Sequence, residues 1–221
     1  MRSVATQHPV RAASLPNVLT YLRILAVPAV VLCLVLIKGD AGRWWALGVY
    51  VAACITDWLD GYLARVWHQQ SILGRMLDPI ADKLIVSAAL LMLASDGTLS
   101  GIHLVPALVI LCREILVSGL REFLAAADVS LPVTRIAKVK TTVQVAAIAA
   151  LIASSATERM LPGVTIGALI GMWVAAGLTF YTGYAYLQAG LSHTQGDRRR
   201  QRSVKPDEDD APPVHSEQRP A

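Results

Sequence analysis

Six long apolar runs constrain this chain more than any other feature of its sequence. A run of roughly 20 apolar residues is the length needed to cross the hydrocarbon core of a bilayer. Short links that contain glycine or charged residues separate the runs. The six runs are residues 18–37, 44–63, 79–94, 104–124, 139–156 and 164–187. The pattern predicts an all-α integral membrane protein with six transmembrane helices.

The composition agrees with a membrane protein of one domain. The hydrophobic fraction is 54%, whereas soluble domains average roughly 45–50% apolar residues. The three cysteines lie in apolar runs without metal-ligand spacing, so we interpret them as small buried side chains. We predict a cytoplasmic segment over residues 1–17, a six-helix transmembrane domain over 18–190 and a disordered charged cytoplasmic tail over 191–221.

The distribution of lysine and arginine predicts the orientation, because these residues concentrate on the cytoplasmic side. The side opposite to the two termini has only Lys38, Arg43 and Arg159 between its helices. The residues on the side of the termini are Arg2, Arg11, Arg65, Arg75, Lys83, Arg121, Arg135, Lys138, Lys140, Arg198, Arg199, Arg200, Arg202 and Lys205. Both termini are therefore predicted to be cytoplasmic.

Four aspartates stand out at the cytoplasmic ends of the second and third predicted helices. The chain reads D-x-x-D-G-x-x-A-R, then eight residues, then G-x-x-x-D-x-x-x-D. Residues three and four apart share a helix face, so Asp57 pairs with Asp60 and Asp78 with Asp82. Carboxylates beside hydrocarbon are costly and indicate a functional site. Their oxygens suit Mg²⁺ or Mn²⁺, whereas zinc favours histidine and cysteine.

A second cluster is basic and lies on the fourth helix and the start of the fifth. Arg113 and Arg121 share one face of the fourth predicted helix, with Arg113 about 12 Å deeper. A deep arginine is costly beside lipid, so we expect it to face a polar cavity. Together with Lys138 and Lys140 these residues predict a pocket for an anion. The alternative for Arg113 is a structural ion pair with Glu114 or Glu122. The alternative for the two lysines is that they only mark the loop as cytoplasmic and bind no ligand.

The aspartate pattern resembles the signature of the CDP-alcohol phosphotransferase family, with every signature position occupied. The resemblance implies that Asp57, Asp60 and Asp78 bind metal, and that Asp82 both contributes to the metal site and serves as the catalytic base. It also implies a role in binding the CDP-linked donor for Asp60, Gly61, Ala64, Arg65 and Gly74. Arginine suits that role because its guanidinium forms forked hydrogen bonds with phosphate.

Three further segments narrow the resemblance. L-P-N-V-L-T-Y-L-R-I, E-I-L-V-S-G-L-R-E-F and A-K-V-K-T-T-V-Q resemble bacterial members of the family that use sn-glycerol 3-phosphate as acceptor. These enzymes convert it with CDP-diacylglycerol into phosphatidylglycerophosphate and CMP. The resemblance implies phospholipid biosynthesis by a multi-pass homodimer of the bacterial plasma membrane, with its site open to the cytoplasm and the lipid leaflet. The phosphate of that acceptor would occupy the pocket of Arg113, Arg121, Lys138 and Lys140.

Three alternative functions remain open. We predict no nucleic-acid partner for any of them. Phosphatidylglycerol as acceptor would make the chain a cardiolipin synthase, and an inositol phosphate would make it a phosphatidylinositol phosphate synthase. A cation transporter could also have carboxylates in membrane helices. Transporters often have internal repeats and a site near the midplane. The chain has no visible repeat and its aspartates are predicted near one membrane face, which favours the transferase.

Overall fold

A computed structural model describes residues 15–67, 72–126 and 135–204. These residues form six α-helices and one short 3₁₀-helix, Gly101–His103, and the described part of the chain contains no β-strand. The α-helices are α1 Leu15–Leu36, α2 Asp40–Trp67, α3 Ile72–Ser95, α4 Leu104–Ala126, α5 Arg135–Thr157 and α6 Val164–Val204. The prediction of an all-α fold is confirmed for the described residues, and their six α-helices correspond to the six apolar runs.

Every helix is longer than its apolar run, as the third and the sixth illustrate. The third helix begins at Ile72 rather than at residue 79, so Gly74, Asp78 and Asp82 all lie on α3. The sixth continues to Val204, so the helix includes residues 191–204 of the predicted tail. The disorder of the tail stays a prediction. That segment is polar, but arginine and glutamine are good helix formers, so it continues an existing helix readily. Residues 1–14 and 205–221 of the two predicted terminal segments lie outside the described residues.

Four stretches within the described residues are long and apolar enough to cross a membrane, which indicates a multi-pass membrane protein. They are Asn17–Leu36, Gly101–Ala125, Lys138–Thr157 and Val164–Tyr184. The other two helices, α2 and α3, have 28 and 24 residues, lengths that exceed the roughly 20 residues of a membrane span. Their sequences contain the four aspartates and several basic residues, which lower their mean hydropathy. That all six helices cross the membrane stays a prediction.

The helices pack in two connected groups. Helix α1 contacts α2 and α3, α6 contacts α4 and α5, and α2 joins the groups by packing on α5. Small residues allow a close approach: a Cβ added to Gly171 of α6 would lie 3.2 Å from the Ala147 Cβ of α5. The core contains Tyr50, Leu93, Ile110, Ile148, Leu151 and Met172. Many large apolar side chains on the outside are exposed, as expected for helices surrounded by lipid.

Polar contacts connect the helices at the end of the bundle opposite to the aspartates. Arg43 donates hydrogen bonds to Asp96 at 2.7 Å, Thr98 at 3.2 Å and the Ile152 carbonyl at 3.3 Å. Between α5 and α6, Glu158 accepts hydrogen bonds from the Thr165 hydroxyl and from backbone N–H groups at the start of α6. The Thr165 hydroxyl and these N–H groups lower the pKa of Glu158 below its usual value. These contacts hold the helix ends together.

Candidate active site

A buried arginine on α1 gathers three of the four aspartates. The Arg23 side chain is 1% exposed, and its Nη1 lies 3.0 Å from Asp57 Oδ1 and 2.9 Å from Asp82 Oδ1. Its Nη2 donates a hydrogen bond to Asp60 Oδ2. The carboxylates of α2 and α3 therefore converge, as their spacing predicted, and a residue of α1 lies at the point where they meet.

The fourth aspartate contacts the same face of α1. Thr20 lies one turn before Arg23 and its hydroxyl donates a 2.5 Å hydrogen bond to Asp78 Oδ1. Asn17, Thr20 and Arg23 recur every three residues and all three are buried, so α1 presents a polar stripe to α2 and α3. The carboxylates that this stripe faces differ in exposure. The side chains of Asp57 and Asp82 are 46% and 47% exposed, and that of Asp60 is 6% exposed.

The chemistry of this donor set fits a hard cation. Carboxylate and hydroxyl oxygens are the ligands that Mg²⁺ and Mn²⁺ prefer. Three of these carboxylates already surround one positive charge, the guanidinium of Arg23. Across the part of the chain that the structure describes, no group of three histidine, cysteine, aspartate or glutamate side chains is arranged as a metal site. The guanidinium occupies the position between the carboxylates, so their role as metal ligands stays a prediction.

The predicted donor-binding residues lie on the same two helices. Gly61, Ala64 and Arg65 belong to the last turns of α2, where the side chains lie outside what the structure describes. Gly74 is buried in the first turn of α3. Helix α2 therefore continues past Asp57 and Asp60 toward the predicted donor residues, and their contacts with a nucleotide stay a prediction.

The basic cluster forms where α4, α5 and α6 meet. Arg113 of α4 donates a 2.9 Å hydrogen bond to Thr182 Oγ1 of α6. A Cβ on Gly183 would lie 3.0 Å from the Arg113 Cγ, so α6 accommodates this side chain through a glycine. Lys140 of α5 is buried and donates a hydrogen bond to Glu114 of α4. Arg113 also lies 3.6 Å from that Glu114 carboxylate.

The four predicted acceptor residues divide into two pairs. Arg113 and Lys140 are largely enclosed by protein and share Glu114 as their carboxylate neighbour. Arg121 is exposed, yet it lies close enough to Lys140 to repel its charge, as Arg113 does. Lys138 is exposed in the first turn of α5. The structure thus brings three of the four cations together, and Glu114 pairs with a cation of another helix as well as with its neighbour.

Sequence reasoning named Glu114 as an alternative partner of Arg113, but it did not find Arg23, Thr20 or the pairing of Glu114 with Lys140. A signal for Arg23 was present, because it interrupts the first apolar run eight residues after its helix begins. A charged residue inside such a run indicates function by default, which is the reasoning that identified Arg113. The polar spacing of Asn17, Thr20 and Arg23 was a second signal.

Known proteins resemble this chain over the region that contains both clusters. The family model described as CDP-alcohol phosphatidyltransferase matches residues 13–181, which contain both clusters. A protein of Rickettsia felis is 44% identical over 176 residues, covering 80% of this chain and 94% of the relative. A Pectobacterium atrosepticum protein is 40% identical over 178 residues, covering 80% and 94%.

A third relative extends the match. A protein of Cereibacter sphaeroides is 36% identical over 218 residues, covering 84% of this chain and 99% of its own length. All three relatives have the name CDP-diacylglycerol–glycerol-3-phosphate 3-phosphatidyltransferase. Since the family model covers residues 13–181 and these relatives match along most of their length, the chain belongs to the CDP-alcohol phosphatidyltransferase family.

Proposed function

We propose that this protein transfers the phosphatidyl group of CDP-diacylglycerol to sn-glycerol 3-phosphate, forming phosphatidylglycerophosphate and CMP. One observation carries the proposal: Asp57, Asp60 and Asp82 of the family signature converge on one point between α1, α2 and α3. The names of the relatives support the substrates. A cluster of cations suited to an acceptor phosphate lies on α4 and α5 of the same bundle.

Divalent metal use is general in the family, and we infer that Asp57, Asp60, Asp78 and Asp82 hold Mg²⁺ or Mn²⁺. When bound, such ions would stabilise the negative charge that develops on the departing CMP phosphate. Arg23 brings three of these carboxylates together and Thr20 holds Asp78 on the same face of α1. Asp60 is buried, while Asp57 and Asp82 are half-exposed. An opening at Asp57 and Asp82 suits a site that substrates must enter.

Asp82 is the residue that we assign as general base. Its carboxylate accepts a hydrogen bond from Arg23, which fixes its orientation, and it is half-exposed, so a substrate hydroxyl can reach it. The Asp82 carboxylate accepts the proton of the acceptor hydroxyl, and the hydroxyl oxygen forms a bond to the phosphorus of the phosphatidyl group. The bond between that phosphorus and the oxygen bridging to CMP breaks, and CMP leaves with the electron pair.

The remaining predicted residues divide between the two substrates. Asp60, Gly61, Ala64, Arg65 and Gly74 bind the CDP-linked donor in this proposal. The glycines remove side chains where a nucleotide must approach the backbone, and Arg65 contacts a phosphate. Arg113, Arg121, Lys138 and Lys140 bind the phosphate of the acceptor. Charge-assisted contacts of this kind favour a phosphate monoester over a neutral alcohol.

The proposed reaction requires a particular arrangement in the membrane. We infer that all six helices cross the bacterial inner membrane, with both termini and the active site on the cytoplasmic side. Lysine and arginine placement supports this orientation. The donor's acyl chains stay in hydrocarbon while its nucleotide reaches the aspartates, so the site must open laterally. The functional unit is inferred to be a homodimer.

The test is a product assay with an acceptor panel. Purified protein is incubated with CDP-diacylglycerol, Mg²⁺ or Mn²⁺ and one acceptor at a time, and the lipid product is identified by mass. We expect phosphatidylglycerophosphate from glycerol 3-phosphate, with phosphatidylglycerol and inositol phosphate inert, and loss of product with a chelator. Cardiolipin as the product would replace the proposed acceptor, and no lipid product with any acceptor would reject the proposed reaction.

A further inference from the structure

Arg23 lies in the middle of the aspartate site, yet the proposed reaction assigns it no role. It lies about 12 Å along α1 from Leu15, and its side chain is almost completely buried. Both terminal nitrogens are engaged, Nη1 by Asp57 and Asp82 and Nη2 by Asp60. It is thus the shared partner of carboxylates from two different helices.

The need for such a partner follows from the charges. Carboxylates held close together repel one another, and burial makes each negative charge more costly. A guanidinium is suited to this position because its planar fork can bond several carboxylates in fixed directions. A lysine ammonium has the same charge but a compact head, so it could not bridge the three aspartates in the same way.

We propose that Arg23 is a positioning residue that acts as an internal counter-cation of the aspartate site. It holds Asp57, Asp60 and Asp82 together and competes with divalent cations for their oxygens, so it sets the metal affinity of the site. This inference rests on the proposed metal-dependent function, because it concerns the same four carboxylates.

A purely structural arginine and a competing counter-cation predict different metal binding. Loss of a structural arginine lowers stability and leaves metal affinity unchanged or weaker, because the ligands lose their arrangement. Loss of a competing cation removes one repulsive charge from close to the metal and frees carboxylate oxygens. At a separation of about 5 Å, that repulsion corresponds to at least tenfold in affinity even at the dielectric constant of water.

The experiment measures Mn²⁺ binding to the full-length protein in detergent, by the decrease of the free Mn²⁺ signal in electron paramagnetic resonance. We expect Arg23→Gln to lower the dissociation constant for Mn²⁺ about tenfold or more. Arg23→Lys keeps the charge but loses the fork, so we expect a decrease of about threefold. The matched control is Arg43→Gln, which removes an arginine paired with Asp96 at the other end of the bundle and should leave the constant unchanged.

Melting temperatures supply a second readout. Without metal, Arg23→Gln should melt below the wild type, and added Mn²⁺ should raise its melting temperature more than that of the wild type, since tighter binding gives greater stabilisation. If Arg23→Gln does not fold, Arg23→Lys decides: unchanged or weaker Mn²⁺ binding overturns the proposal. The same result for a folded Arg23→Gln also overturns it.

Failure of the underlying function gives a different result. If wild-type protein binds no Mn²⁺, or if Asp60→Asn binds it as tightly as the wild type, the metal-dependent function itself is wrong. Normal Mn²⁺ binding by the wild type, lost in Asp60→Asn and unchanged in Arg23→Gln, rejects only the role of Arg23.

Discussion

The two polar clusters of this protein have opposite charge patterns. In the aspartate site, as far as the described side chains go, the cation bound among the carboxylates of α2 and α3 is Arg23. In the basic cluster, Glu114 is the carboxylate that contacts both Lys140 and Arg113. Each cluster therefore contains a counter-ion of its own and retains an excess of the sign that would attract its proposed ligand.

The comparison shows how a membrane protein can bury several like charges. An isolated buried charge is strongly unfavourable, and one internal counter-ion reduces that cost without neutralising the cluster. The two counter-ions differ in exposure: the Arg23 side chain is 1% exposed, and that of Glu114 is 26% exposed. We expect changes in the aspartate site to have the larger effects, because its residues are proposed to act on the reacting groups, whereas the basic cluster is proposed only to bind the acceptor.

The largest effect is expected for Asp82→Asn. This variant tests whether the aspartate site, unlike the basic cluster, supplies the general base. Loss of a general base typically lowers turnover by about a hundredfold to ten-thousandfold. The rate of product formation is measured together with Mn²⁺ occupancy, because lost coordination would add to the effect. Asp96→Asn, at the opposite end of the bundle, is the matched control and should keep its turnover. Turnover near that of the wild type at full metal occupancy would exclude Asp82 as the base.

Substitutions of the other three aspartates test their predicted role as metal ligands. Asp57→Asn, Asp60→Asn and Asp78→Asn each keep the side-chain shape but remove an anionic ligand. We expect metal affinity and turnover to fall together by about tenfold to a hundredfold, since even indirect losses at metal sites reach that size. Excess Mg²⁺ or Mn²⁺ should partly restore turnover. Unchanged wild-type activity in a chelator would contradict the metal mechanism.

Substitutions in the basic cluster should act on the acceptor alone. A charge-assisted contact contributes about 1.5–3 kcal/mol, so Arg113→Gln and Lys140→Gln should raise the Michaelis constant for glycerol 3-phosphate about tenfold to a hundredfold. Arg121→Gln should have the same direction of effect. The Michaelis constant for CDP-diacylglycerol should change much less. If Arg113→Gln lowers only the yield of folded protein and leaves the acceptor constant unchanged, Arg113 is a structural ion-pair residue.

The smallest effect is expected for Glu114→Gln, which removes the counter-ion of the basic cluster while keeping its size. The acceptor phosphate then no longer competes with a carboxylate for Lys140 and Arg113. We expect the Michaelis constant for glycerol 3-phosphate to fall by about twofold to fivefold, because a partly exposed pair is screened. Glu122→Gln, exposed on the same helix, is the control and should not change it. An increase with Glu114→Gln would show that Glu114 positions the cations and does not compete.

Residues close together in the sequence were the ones that could be predicted. Asp57 and Asp60 lie three residues apart and Asp78 and Asp82 four apart, so helical periodicity alone places each pair on one face. The helix positions of Arg113, Arg121 and Lys140 were predicted for the same reason. The length of α6 was not, because its polar end has no apolar pattern and continues the helix by local propensity.

The sequence by itself determined that the chain is all-α with long apolar helices and to which family it belongs, and it singled out the residues that we propose to carry its chemistry. These properties depend on hydrophobicity and on spacing along single helices. Only the tertiary structure decided that Arg23 of α1 bridges the aspartates of α2 and α3, and that Glu114 of α4 pairs with Lys140 of α5. Such partners come from the packing of helices distant in sequence, and no periodicity within one helix specifies which side chains of another will face it.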